Sequence, residues 1–221
     1  MTGTSYTGDV TVGGPADVRE LPGLTITKVA VSDMANNAYL LRDTATGEGL
    51  LVDAAAEPDL LLRLVGDGGV RTVVTTHGHW DHHRALPEVA TVTGAVTVAH
   101  PADAADLPVP VQRPVEHGET VQVGEHALEV VHLRGHTPGS IALVLRARDG
   151  STHVFTGDSL FPGGVGNTQQ DPDRFRSLID DVEQRLFGAL PDDTWVYPGH
   201  GKDTTLGAER PHLGEWRERG W

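Results

Sequence analysis

The segment Val70–Thr75 is rich in β-branched residues and follows a glycine pair, the pattern of a short buried strand. It runs directly into His77-Gly78-His79-Trp80-Asp81-His82-His83. A cluster of ligand-type side chains therefore sits on the turn that leaves a strand. His77 and His79, two positions apart, can offer imidazole nitrogens to one cation at about 2.0–2.1 Å, while Asp81 and His82 lie further round the turn and can serve a second. One loop can thus start two sites.

Three further segments share one form, a strand ending at a glycine-containing turn that carries a ligand-type residue. They are Leu133-Arg134-Gly135-His136-Thr137-Pro138-Gly139-Ser140, Val154-Phe155-Thr156-Gly157-Asp158-Ser159 and Val196-Tyr197-Pro198-Gly199-His200-Gly201. Glycine beside each ligand lets the backbone bend sharply and pass close to an ion. Loops at strand ends along one sheet edge form the usual crevice for a site in α/β folds. Strands are expected at Leu24–Val31, Ala38–Leu41, Gly49–Asp53, Ala95–Ala99, Thr120–Val123, Ala127–Leu133, Ile141–Arg146, His153–Thr156 and Trp195–Tyr197. Helices are expected at Pro58–Val65, at Arg84–Val89 and, after Asp171-Pro172, at Asp173–Leu186. Ser32–Asn37 reads as a turn, with Asn36-Asn37 there because asparagine tolerates left-handed geometry, and proline-rich Pro101–Pro114 reads as a surface loop. Strands and helices mixed throughout, without linker or repeat, predict one α/β domain over residues 1–221, with residues 1–20 as an extended N-terminal segment.

Composition narrows the chemistry. The chain has 12 His but no Cys, which excludes disulfides, thiolate zinc sites, iron–sulfur clusters and a cysteine nucleophile. Its net charge of −14 disfavours binding to nucleic-acid phosphates or anionic lipid. The start MTGTSYTGDV lacks the basic and apolar regions of a leader, and no apolar run approaches the roughly 18 residues of a membrane span. A cytoplasmic protein with a small-molecule substrate, and with neither nucleic acid nor membrane as partner, is expected; homo-oligomerisation is left open.

The motifs HGHWDHH, GHTPGS, TGDSLF and PGHG, in this order between about Thr27 and Arg210, resemble the metallo-β-lactamase-fold hydrolases, and within them the small glyoxalase II-like branch. The resemblance implies a four-layer αββα sandwich, α/β (α+β) in class, with metals at one edge between two mixed sheets. It implies that His77, His79 and His136 hold one divalent cation, that Asp81, His82 and His200 hold a second, and that Asp158 bridges the two. Zinc is the expected metal, with iron or manganese as alternatives. Two cations about 3.5–4 Å apart share and acidify a water and polarise a carbonyl. The implied activity is therefore hydrolysis of a small thioester or ester with a metal-bridging hydroxide as nucleophile, and Asp81 is the expected catalytic residue that orients it.

Asp158 stands where the true lactamases of this family generally have Cys or Ser, and the acidic charge disfavours a ribonuclease. Typical glyoxalase II members continue into a helical domain that grips glutathione, whereas about twenty residues follow His200 here, so the thiol cosubstrate is left open. The main rival is a persulfide dioxygenase with one iron on His77, His136 and Asp158, since two histidines and a carboxylate suit Fe(II) oxygen chemistry. Such enzymes typically carry an arginine in the rim segment where this chain has Asn167. A lactonase and a non-catalytic metal-binding accessory protein are the remaining alternatives. Trp80 and Asn167 are the candidate substrate contacts, although Trp80 fits equally well packed beneath its loop. His83 is assigned a supporting or solvated place, and His100, His117, His126, His132, His153 and His212 ordinary hydrogen bonds.

Overall fold

The computed structural model of the protein describes residues 6–220; residues 1–5, where the expected N-terminal segment begins, and residue 221 lie outside the described residues. The first sheet follows the chain in the order β1 (Asp17–Leu21), β2 (Leu24–Val31), β3 (Asn36–Asp43), β4 (Gly49–Val52), β5 (Thr72–Val74), β6 (Val96–Ala99) and β7 (Arg113–Pro114). Its pairs are antiparallel from β1 to β4 and parallel from β4 to β7. Next come β8 (Thr120–Val123), β9 (His126–His132), β10 (Ile141–Arg146) and β11 (Thr152–Gly157), then a separate hairpin of β12 (Leu160–Phe161) and β13 (Gly164–Val165). With β14 (Trp195–Pro198) and β15 (Thr204–Thr205) they form the second sheet in the order β8-β9-β10-β11-β14-β15, in which only β11 and β14 pair in parallel.

Strand parity sorts the apolar residues into layers, because successive side chains point to opposite faces. Leu24, Ile26, Tyr39, Leu41, Leu50 and Val52 of the first sheet meet Leu128, Val130, Ile141, Leu143, Leu145 and Phe155 of the second in a core between the sheets. Their sequence neighbours face outward. Val31, Leu40, Leu51 and Val73 pack under α1 (Pro58–Val65) and α2 (Leu86–Thr93), whose Leu61, Val65, Leu86 and Val89 cover them. Ala142, Val144, Val154 and Val196 pack under α3 (Pro172–Val182). Past α4 (Leu206–Glu209), α5 (Leu213–Arg219) adds the buried Trp216 to the same layer. The order helix, sheet, sheet, helix is the expected four-layer αββα sandwich. Each fully buried leucine or isoleucine contributes about 1.5–3 kcal/mol, and Tyr39 joins the sheets edge-on to Phe155 and Tyr197 at centroid distances of 5.3 and 5.5 Å.

Local signals explain the helix ends. Pro58 lies in the first turn of α1, and the Gly66 N–H closes its end onto Leu62. The Asp171 carboxylate accepts the N–H groups of Asp173 and Arg174 at 2.9 and 3.1 Å, capping α3. The helix expected through Leu186 instead passes into a π turn at Glu183–Phe187.

Two further expectations change. Asn36 and Asn37 are not turn residues but buried members of β3, and left-handed backbone is taken by Ser32 and Ala35 at φ 68° and 53°. Pro101–Pro114 is not simply a surface loop: it holds a 3₁₀ stretch, Pro101–Asp106, with Asp103 buried, and ends in β7. The N-terminal segment leads into β1, which pairs with β2. Ahead of β1 the chain is tied down by Lys28, whose buried Nζ donates to Gly8 O at 2.7 Å, Gly201 O at 2.7 Å and Asp203 Oδ1 at 2.6 Å. Among the described residues no helix is long and apolar enough to cross a membrane.

Candidate metal centre

The C-terminal ends of β4, β5, β9, β11 and β14 lie along one edge of the sandwich and carry Asp53, His77, His136, Asp158 and His200 respectively. Backbone bonds lock the two sheets there, Ile141 N–H to Thr76 O at 2.9 Å and Asn37 N–H to Gly199 O at 2.7 Å, while Gly199 N–H to Gly157 O at 2.8 Å holds the ends of β14 and β11 together within the second sheet. The glycines beside the ligands serve two ends. Gly135 and Gly157 adopt φ of 136° and 49°, which a side chain would resist. Gly199 matters for space instead, because a methyl there would overlap Asp158 Oδ1 and stand 2.7 Å from His82 Cε1.

All seven sequence-predicted ligand residues come together. Their ligand atoms form the abutting sets His77, His79, His136; His77, His82, Asp158; and Asp81, His82, His200. His82 Nε2 lies 3.3 Å from Asp158 Oδ1 and 3.5 Å from Asp81 Oδ2, and His200 Nε2 lies 3.3 Å from Asp81 Oδ2 and 3.5 Å from Asp158 Oδ2. His136 Nε2 stands 3.7 Å from the same Asp158 oxygen. Two ligands bound to one tetrahedral ion at about 2.1 Å stand about 3.4 Å apart, so these spacings suit shared cations. A second observation agrees: His77 Nε2, His136 Nε2 and Asp158 Oδ1 are fully buried and lack any hydrogen-bond partner within the protein. Buried polar atoms of this kind are costly unless something else binds them.

The opposite ring nitrogens are fixed. His82 Nδ1–H donates to Asp53 Oδ2 at 2.9 Å, His136 Nδ1–H to Asn167 O at 2.8 Å and His200 Nδ1–H to Met34 O at 2.9 Å. His77 Nδ1 lies 3.0 Å from Thr76 Oγ1, which itself donates to Asp53 Oδ2 at 2.8 Å. Each ring thereby presents Nε2 to the centre, the arrangement by which outer partners orient metal-binding histidines.

The electrostatics divide the histidines into two groups. Burial pushes His77 and His79 down, and takes His136 to about 4, so these rings are neutral at pH 7. Burial acts the same way on His82 and His200, but Asp158 and their other carboxylate contacts outweigh it and raise them to about 10 and about 9. Burial alone would raise the carboxyls of Asp81 and Asp158, yet His82 and His200 hold both well below the usual range. In the protein without cations, protons on those two rings thus balance the carboxylates that would face a metal.

Three residues of the site carried no motif signal of their own. Asp53 was visible only as a strand ending on a carboxylate; it sits at φ 58° and also accepts the Thr76 N–H at 2.7 Å. Asn36 Nδ2 donates to Asp81 Oδ2 at 2.8 Å. Asp103 accepts from Gly78, Thr137 and Gly139 beneath the histidine loops. Trp80 does not pack beneath its loop: its side chain is 57% exposed, with the Arg84 guanidinium 4.6 Å from the ring centroid. Asn167 touches the site through its backbone carbonyl on His136, while its side chain accepts the Gln169 N–H at 2.6 Å. His83 is buried and bonds to Gly78 O at 3.2 Å.

Comparison with known proteins agrees with this geometry. A hydroxyacylglutathione hydrolase of Fuscovulum blasticum is 36% identical over 168 residues, which cover 75% of this chain and 62% of that protein. The crystal structure of ETHE1 from Myxococcus xanthus superposes with a TM-score of 0.76 at 32% identity, covering 87% of this chain and 84% of that one. The protein TTHA1623, solved in a di-iron-bound form, gives 0.69 at 32% identity over 83% of this chain and 96% of that one. The family model of the metallo-beta-lactamase superfamily matches residues 31–200, from the end of β2 to the last of the gathered ligands. A match of that extent, laid over histidines and aspartates that the folded chain itself brings together, makes the chain a member of the metallo-beta-lactamase superfamily.

Proposed function

We propose that the protein is a dinuclear-metal hydrolase of small thioesters or esters, of the glyoxalase II kind, working on a small molecule without nucleic acid or membrane. The observation that carries this reading is the pair of abutting ligand sets with Asp158 facing both. His77, His79 and His136 would hold one divalent cation, Asp81, His82 and His200 the other, and zinc is the proposed metal. Bound there, such cations supply Lewis acidity toward a carbonyl and lower the pKa of water. The similarity to a hydroxyacylglutathione hydrolase supports thioesters as the substrate class, although the chain spans only 62% of that protein's length.

The chain's own residues supply the rest. Asp81 is ionised at neutral pH and held by Asn36, so it can accept a hydrogen bond from an attacking water and fix its orientation. A cavity of about 710 Å³ opens beside His79, bounded by Trp80, Arg134, Gln169, Arg174 and Ser177, room enough for a small acyl compound. Trp80 offers its exposed ring to that cavity. Metal analysis of protein prepared without added metal, together with turnover on a panel of acyl thiols, lactones and a persulfide, tests the proposal. About two metal equivalents with thioester hydrolysis are expected; one iron with oxygen consumption, or loaded protein without turnover, overturns it.

A further inference from the structure

Asp103 lies in the proline-rich connection after β6, far in sequence from every motif, yet its side chain is buried between the two loops that carry His77, His79 and His136. Oδ2 accepts the Gly78 N–H at 2.8 Å and the Thr137 hydroxyl at 2.5 Å, while Oδ1 accepts the Gly139 N–H at 2.6 Å. The Gly78 N–H belongs to the peptide after His77, and the Gly78 carbonyl, which bonds to His83, to the peptide before His79. Both peptides that set the spacing of these two ligands are therefore pinned. On the other side, the bonds to Thr137 and Gly139 fix the turn that immediately follows His136.

Both loops approach Asp103 closely at a glycine. A methyl group at Gly139 would lie 2.7 Å from Asp103 Cγ, and one at Gly78 would lie 3.2 Å from Asp103 Cβ and 3.0 Å from Asp106 Cβ. Glycine at both places lets one carboxylate reach both loops. Its three bonds tie together two loops from opposite sheets, and charge-assisted bonds are about twice as strong as neutral ones.

We propose that Asp103 is a positioning residue of the three-histidine site, setting the separation of His77 and His79 from His136 and so the affinity of that site for a cation. This rests on the reading of the three histidines as metal ligands. Outer partners of metal ligands are worth about 10–100-fold in affinity, and Asp103 touches no ligand of the Asp81, His82 and His200 set directly.

The test is zinc competition against a chromophoric chelator in two full-length backgrounds, His200→Ala, which leaves the three-histidine site, and His136→Ala, which leaves the other. Asp103→Asn is expected to weaken zinc at least tenfold in the first background and less than threefold in the second. Asp43→Asn serves as comparison, because Asp43 is an equally buried carboxylate whose bonds to Ala45, Thr46 and Glu125 lie away from the site. It should lower thermal stability and leave both zinc affinities unchanged. Equal weakening at both sites by Asp103→Asn, or a lowered melting temperature with unchanged zinc binding, overturns the proposal. Should Asp103→Asn fail to fold, Thr137→Val removes one of the three bonds, and zinc affinity unchanged in the first background overturns it equally. A parent that binds no zinc in the first background overturns the ligand reading itself.

Discussion

Replacing Asp53 by asparagine keeps the size of the side chain and removes one acceptor from a group that serves three donors. Asp53 is 2% exposed and takes the Thr76 N–H on Oδ1 and both the Thr76 hydroxyl and His82 Nδ1–H on Oδ2. An asparagine that keeps its oxygen on the Thr76 N–H turns its NH₂ toward the other two. The Thr76 hydroxyl can rotate and accept from it, but His82 Nδ1–H cannot. One charge-assisted bond worth about 1.5–3 kcal/mol is lost from His82, which corresponds to about 10–100-fold in zinc affinity at the Asp81, His82 and His200 site. His77 depends on Asp53 only through Thr76, so the three-histidine site should weaken by less than about fivefold on the same energy scale. Zinc competition in the His136→Ala and His200→Ala backgrounds separates the two effects. Second-site affinity within threefold of the parent, or a larger loss at the three-histidine site, would refute the reasoning.

Three other expectations are independent of that one. Trp80→Ala should raise KM about five- to tenfold, equivalent to about 1 kcal/mol of lost contact, with kcat little changed and unfolding free energy within about 0.5 kcal/mol; unchanged KM would remove Trp80 from the substrate surface. Lys28→Met leaves the fully buried Asp203 carboxylate without its cation and should cost about 3–5 kcal/mol in urea unfolding, part of which Asp203→Asn should restore; a cost under about 1 kcal/mol would contradict the pair's role. Backbone N–H bonds from Glu125 and Thr46 hold Asp43 at about 2, below an unfolded value of about 3.9. The stability this contributes is complete above the unfolded value and disappears as the pH falls through the folded one, so Asp43→Asn should cost about 2 kcal/mol at neutral pH and converge with the parent near its folded pKa. Parallel stability curves down to that pH would show the bonds to be immaterial.

The clustering of the seven histidines and aspartates was legible in the sequence because each sits in a short motif at a strand end, where composition and position coincide. The residues alone predicted an α/β domain, and the sandwich entered only as what the motifs' resemblance implied; in the structure Ile141, Leu143 and Leu145 of β10 face the core between the sheets while Ala142 and Val144 face the α3 layer. What stayed hidden depends on partners far along the chain. Asn36 looks like a turn residue locally, but its side chain donates to Asp81, 45 residues on. Asp103 sits among prolines that suggest a surface loop, and its three partners lie 25, 34 and 36 residues away. β1 has only two apolar residues, Val18 and Leu21, and becomes a strand by pairing at the edge beside β2.

The two glycines that crowd the ligands carry a lesson for reading relatives. Gly199 leaves no room for a methyl against Asp158 and His82, and one at Gly166 would overlap the Asp158 carbonyl and stand 2.9 Å from His136 Nδ1. An alanine at either position would displace ligands while leaving every one of the seven in the sequence. A relative that has lost its chemistry can therefore keep a complete set of histidines and aspartates, and the change that silenced it will be found at a position with no functional group at all.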